Sequence, residues 1–290
     1  MTAFDKQKAK HGKQLYIDPN ARLVAQGGYV AGGEASEGYN IGGDVVLPGD
    51  PGKAVFWDDF LGDTGEFEWT PVSGDTGFGL QEKITGTNGV FRLTPDSITK
   101  GLLHTSNIAI THHLMRQWKA RQGAGSAYGD NLGFAARIKL GNVSRTADRI
   151  HAFIGFSDSG GAETPIYDTG TLTANAADLI GFLFSPGGDT GWSLVSVQGG
   201  GTAQLAVPAV GPTANVYETL AFIMRRSAGD TGGTAYFYRN GRLIGKINNP
   251  ITDTVALTPW IGLWSQDTGI AVTYMDVDYV NIYAPRDTGL

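Results

Sequence analysis

Asp-Thr-Gly occurs seven times in this chain, beginning at Asp63, Asp75, Asp168, Asp189, Asp230, Asp267 and Asp287. Two aspartates, each at the end of a buried strand, can share one proton and hydrolyse a peptide bond. "IYDTGTL" (166–172) has the apolar run-in that such a carboxylate needs, and "SQDTGIA" comes second. A dyad uses two copies, however, and "GGDTGWS" and "AGDTGGT" follow glycines. Turn chemistry accounts for all seven. Asp at the first position bonds the backbone two residues on, and Gly supplies the positive φ that reverses the chain. The tripeptide reads as punctuation between strands.

Other groups with chemical potential are sparse. Asp276 and Asp278 in "YMDVDYVNIY" stand two apart, a spacing that places both on one face of a strand. The histidines are His11, His104, His112, His113 and His151, and none has a partner at ligand spacing. Asp58-Asp59 in "FWDDF" could offer oxygens to calcium, but such a pair reads first as a solvated strand end. Of the six tryptophans, Trp57, Trp69, Trp192, Trp260 and Trp264 read as core, and Trp118 in "RQWKARQ" as exposed. No nucleophile elbow or phosphate-cradling glycine loop is present.

These groups need a scaffold, and the composition points to strands. The chain has 290 residues, 43 glycines and only 17% charged residues, as suits a turn-rich β protein. With no cysteine, thiolate nucleophiles, Cys-zinc sites and disulfides are excluded. A net charge of −6 argues against broad nucleic-acid or membrane-surface binding. The start, "MTAFDKQKAKHGK", has no apolar core of a signal peptide, so synthesis in a cytosol is expected.

Residues 1–53 differ from the rest. Lys6, Lys8, Lys10 and Lys13 crowd the start, and a glycine-dense stretch without a sustained period follows. Such a segment cannot bury enough apolar surface to fold alone, and reads as an extended arm. From residue 54 to 286 short strands succeed one another. "FAARIKL" alternates Phe134, Ala136, Ile138 and Leu140 against Arg137 and Lys139. "HAFIGFS" and "LIGFLFS" are apolar on both faces and belong at sheet centres, with Phe182 and Phe184 in the core. In "AYFYRNGRLIGKI", Asn240-Gly241 marks a two-residue hairpin. In the last strand Met275 and Val277 fall out of phase with Val280 and Ile282, which predicts a bulge near Asp278. The fold class is therefore all-β: a two-sheet antiparallel β-sandwich with an extended N-terminal arm.

The strand order and the final strand resemble concanavalin-like jelly rolls, including laminin-G-like domains. Laminarinase-type glycosidases on that fold carry Glu-x-Asp-x-x-Glu on one strand. Here the corresponding residues are Asp276, Asp278 and Asn281. A retaining glycosidase needs a nucleophilic carboxylate and a separate acid. Asn281 has no proton to give, and Asp276 is a methylene shorter than Glu. The expectation is that Asp276 and Asp278 are solvent-facing or hydrogen-bonded strand residues and that the chain is not an enzyme, with no catalytic residue, cofactor or metal.

The succession "VFWDDFLGD", "NGVFRLT", "FAARIKL", "FIGFSD", "DLIGFLFSPGGDTGWSLVSV", "YETLAFI", "YFYRNGRLIG", "VALTP" and "DVDYVNIYA" resembles proteins encoded among the head genes of tailed bacteriophages. That resemblance implies a capsid decoration protein on the virion surface. Its partner would be the major capsid protein, with self-association on the capsid. Contact would run through Lys6, Lys8, Lys10 and Lys13. A lectin-like module that binds a glycan is the other implied use.

Overall fold

The computed structural model describes residues 90–94, 132–143, 150–158, 165–168, 171–185, 191–206, 211–225, 233–252, 255, 257–265 and 274–285, together with the backbone of the shorter strands before residue 104. Two small hairpins come first in the chain: β1 (Leu15–Ile17) with β2 (Leu23–Ala25), and β3 (Asn40–Ile41) with β4 (Asp44–Val45). Next are β5 (Lys53–Asp58), β6 (Thr70–Val72), β7 (Gly79–Gln81), β8 (Phe91–Thr94), β9 (Thr99–Leu103), β10 (Leu132–Leu140) and β11 (Ile150–Ser157). A third hairpin pairs β12 (Ile166–Asp168) with β13 (Leu172–Ala174). Then follow β14 (Leu179–Phe184), β15 (Ser193–Val197), β16 (Gln204–Ala206), β17 (Tyr217–Arg225), β18 (Thr234–Arg239), β19 (Arg242–Asn248), β20 (Thr258–Ser265) and β21 (Met275–Pro285).

The main strands form two antiparallel sheets. One has eight strands in the order β19-β18-β17-β10-β21-β8-β7, with β5 also on β21; the other has seven, β16-β15-β14-β11-β20-β9-β6. The apolar strands β11 and β14 lie inside the second sheet, as their two-faced hydrophobicity requires. β21 is long enough to hold two partners on one side. Met275–Val277 pair with β8, and Val280–Pro285 with β5.

The core lies between the sheets. Phe134, Ala136, Ile138 and Leu140 point into it from β10 and meet Phe156, Phe182 and Phe184 from the facing sheet. Phe222 on β17 is ringed by aromatics, with centroids 5.5 Å from Phe134, 5.9 Å from Phe156, 6.4 Å from Phe182 and 5.5 Å from Phe237. The bulge in β21 falls where the phase change predicts it. Arg137 faces Tyr279, while the next residue, Ile138, faces Val277, so Asp278 is the extra residue. That slip lets Met275, Val277, Val280 and Ile282 all reach the core.

Asn240 and Gly241 turn β18 into β19 with φ of 49° and 75°, the left-handed pair that a two-residue hairpin needs. Gly241→Val is expected to cost about 1–2 kcal/mol, because a β-branched residue resists that region. A thermal melt checks it. Asp168 ends β12 and pairs with Leu172, so this Asp-Thr-Gly does sit at a hairpin reversal. The other six copies begin outside the described residues.

The hairpin β12–β13 adds a local third layer. Ile166, Leu172 and Ala174 pack on the outer face of the seven-stranded sheet against Phe153, Leu183, Val195 and Trp260. Glycines make room for the large rings there. Gly155 lies opposite Trp260 and Gly262 opposite Phe153, and a Cβ on Gly262 would overlap the Trp260 indole.

Candidate functional site: a cation and tyrosine ladder on one sheet face

The outer face of the eight-stranded sheet gathers the polar residues of β8, β10, β17 and β21. Alternation dictates it, since β10 sends Phe134, Ala136, Ile138 and Leu140 inward and so sends Arg137 and Lys139 outward. Register then assembles a row. Tyr217 lies opposite Lys139, Lys139 opposite Asp276, and Asp276 opposite Arg92.

Asp276 is fully buried. Arg92 grips it with two hydrogen bonds, Nε at 2.5 Å and Nη2 at 2.8 Å, and Lys139 Nζ reaches it at 2.8 Å from the other side. Arg137 Nη1 donates to Asp278 Oδ2 at 2.7 Å. The cations also stack on tyrosines. Arg92 lies 3.7 Å from the Tyr274 ring centroid, Lys139 5.6 Å from Tyr274 and 4.8 Å from Tyr217, and Arg137 5.0 Å from Tyr217. Tyr274 is fixed by donating 2.7 Å to Asn215 Oδ1 and by lying over Gly141, where a Cβ would strike the ring. The result is a ladder of alternating cations and tyrosines with two carboxylates tied into it.

Electrostatics follow the geometry. The Asp276 hydrogen bond, aided by its charge, raises Arg92 above its usual value. Burial pulls Lys139 down, but the hydrogen bond and charge of Asp276 outweigh it, so Lys139 is raised. Burial, and then the charge of Asp276, pushes the Tyr217 phenol up. A raised lysine contributes stability that is fully present below its unfolded value of about 10.4 and is lost as pH rises through the folded value. Lys139→Met is therefore expected to flatten the fall in stability above about pH 10. Urea melts of both proteins at neutral and alkaline pH check this.

Inside the same sheet a further ion pair closes the core. Glu218 accepts from Trp192 Nε1 at 2.9 Å and pairs with Arg239, whose Nη2 donates to the Gly211 carbonyl at 2.7 Å. Nothing in the sequence reading singled out Glu218, Arg239, Tyr217 or Tyr274. Their partners lie far along the chain, and only register brings them together.

Asp276 and Asp278 are hydrogen-bonded strand residues, as expected. Asn281 is fully buried on the same outer face, with neither side-chain atom bonded to a partner. Trp192 and Trp260 are buried. His151 is buried with Nδ1 3.0 Å from Ser185 Oγ. Lys6, Lys8, Lys10 and Lys13, His11, His104, His112, His113, Trp69 and Trp118 lie outside the described residues, as do the side chains of Trp57, Asp58, Asp59 and Trp264.

No known sequence family matches the chain, and no curated protein does. Solved structures do match. A Shewanella oneidensis MR-1 protein of unknown function, SO2946, is 11% identical with a TM-score of 0.53, over 81% of this chain and 87% of that one. An endo-1,3-beta-glucanase from Streptomyces sioyaensis is 13% identical with a TM-score of 0.51, over 83% of this chain and 99% of that one. A Bacillus licheniformis beta-glucanase is 17% identical with a TM-score of 0.47, over 79% of this chain and 97% of that one. The fold is thus an all-β, concanavalin-like jelly roll.

The likeness to the Streptomyces sioyaensis fold corrects one expectation. The inference that the chain is not an enzyme rested on the two departures from the glycosidase pattern, on the turn reading of Asp-Thr-Gly and on the lack of other catalytic motifs in the sequence. The sandwich is one that glycoside hydrolases use, an endo-1,3-beta-glucanase among them, and the exclusion does not stand. Departures at Asp276 and Asn281 remove a carboxylate pair at those positions. They say nothing of chemistry placed elsewhere on the scaffold.

Proposed function

We propose that this chain is a virion structural protein that decorates the assembled head of a tailed bacteriophage, with the major capsid protein as its partner. The observation that carries this reading is the ordered set of segments that resembles such head proteins. Those segments fall on β5, β8, β10, β11, β14, β15, β17, β18, β19, the start of β20 and β21. The likeness therefore runs through the framework of both sheets. A rigid sandwich that binds only the assembled shell would stabilise it by mass action. In this reading residues 1–53 make the capsid contact, and Lys6, Lys8, Lys10 and Lys13 steer approach to an acidic surface, an effect that fades with salt.

A shortened chain beginning at Gly52, which keeps all of β5, is expected to fold but to bind capsids far more weakly and with less salt dependence. Co-sedimentation of both proteins with undecorated capsids at two salt concentrations is the test. Equal binding by the two would remove the arm from the mechanism.

The ladder favours a second reading, a lectin-like module on the virion surface. Tyr217 and Tyr274 are half-buried, and cations flank both rings. Such a face suits a sugar bearing acidic groups. A glycan array probed with the intact protein tests it, and an array without bound spots would end it.

A further inference from the structure

We infer that the edge of β19 is a docking site for an extended acidic segment of another protein, added to the eight-stranded sheet as a further strand. β19 ends that sheet, and on one side it has no neighbour among the described strands. Arg239 and Arg242 flank the two-residue turn, where such a pair exchanges backbone hydrogen bonds. Alternation then turns the backbone groups of Leu243, Lys246 and Asn248 away from β18, with Ile244 as the extra residue of a bulge. Leu243, Lys246 and Asn248 are all exposed.

The two sheets end out of step beside this edge. β19 lies against β15 and β16 of the facing sheet, and a Cβ on Gly245 would strike Leu194 of β15. The facing sheet continues one strand further, to β16. Alternation sends Gln204 and Ala206 to the same side as Leu194, toward the interior, yet Gln204 is exposed. Its amide reaches across to the Asn249 carbonyl at 3.3 Å. A ledge is left beside β19, floored by Gln204 and Ala206 and walled by Ile244, whose side chain packs on the core as that of Ala206 does.

Charge selects the occupant. Arg242 and Lys246 are exposed and, among the described residues, held in no ion pair. Residues 191–206 and 231–252, which supply β15, β16, β18 and β19, contain no acidic residue, although the chain carries a net charge of −6. A lysine and a bulge on an edge strand discourage pairing with a copy of itself. A second β19 would bring the same two cations back, and like charges across a strand pair repel. An acidic strand turns that repulsion into attraction. Leu243 and Lys246 stand opposite Tyr238 and Tyr236 on the outer face, while Ile244 and Ala206 line the inner side. The segment that fits therefore alternates acidic residues, outward beside Lys246, with apolar ones, inward on the ledge. Main-chain pairing supplies affinity and the alternate side chains supply selection.

The probe is a fluorescein-labelled peptide of about eight residues alternating Glu and Val, titrated with the full chain and read by anisotropy. It is expected to bind about ten-fold more tightly than the matching Lys–Val peptide. The same margin of about ten-fold is expected over a Glu–Val peptide N-methylated throughout, which keeps the charge and loses the strand donors. Lys246→Glu is expected to weaken the Glu–Val peptide about ten-fold. Leu243→Pro removes an N–H that β18 does not use, so it should leave the fold intact and abolish binding. If that variant fails to fold, the N-methylated peptide makes the same test on the unaltered chain. Equal binding of the N-methylated or the Lys–Val peptide would overturn the site, as would no binding of the Glu–Val peptide at about 1 mM. Dimerisation of the chain alone, lost in Leu243→Pro, would overturn it too and give the edge to a second copy.

Discussion

Phe222→Ala is expected to cost about 3–5 kcal/mol, through lost transfer energy and the cavity left behind. Phe222 sits where both sheets meet, within ring contact of Phe134, Phe156, Phe182 and Phe237. The site cannot collapse easily, because those neighbours belong to strands pinned by their own ladders. Phe134 and Phe237 flank it in its own sheet, and Phe156 and Phe182 press from the other. Chemical denaturation with a constant slope would measure the loss. An unchanged midpoint would mean that the two sheets do not meet at this ring. Leu at the same position should recover part of the loss, since it refills some of the volume.

The second large effect is expected at Asp276. Removing one member of a buried ion pair leaves the remaining charges uncompensated, which typically costs about 3–5 kcal/mol. Arg92 and Lys139 keep 24% and 19% of their side-chain surface in water, so solvent softens the penalty. Asp276→Ala should therefore lie lower, at about 2–3 kcal/mol. Asp276→Asn keeps the shape and loses the charge, and should cost less. The informative comparison is the triple variant in which Arg92 and Lys139 are also made neutral. If Asp276 acts through those two cations, their removal should recover much of the stability. If the loss persists unchanged, Asp276 acts through packing and not through charge.

Much of the sandwich was legible because its strands are local patterns. The alternation in "FAARIKL" assigned both faces of β10, and Asn240-Gly241 located a hairpin without tertiary information. The bulge at Asp278 was legible too, since four apolar residues could reach one core only if the phase slipped once. The ladder was not legible. Arg92 and Asp276 are separated by 184 residues, and no local period records their pairing. The third layer was equally hidden. "IYDTGTL" predicts a hairpin reversal, but nothing near it says that Ile166 will cover Phe153 and Trp260. The function of the face was the least legible part. The identity of Asp276, Asp278 and Asn281 is plain in the sequence, yet their burial and partners decide what they can do.

The position of β21 has a consequence for when this protein can fold. It lies inside the eight-stranded sheet, bonded to β10 along one side and to β5 and β8 along the other. A ribosome makes it after every strand it joins. Until its residues emerge, β10 lacks a neighbour, and β5 and β8 have no place in the sheet. Pairings this distant in sequence must also close large loops before they gain contacts, which places such topologies among the slow folders, at milliseconds to seconds. The nascent chain therefore carries exposed strand edges through most of its synthesis. Premature termination before Met275 should leave an aggregation-prone chain rather than a smaller domain.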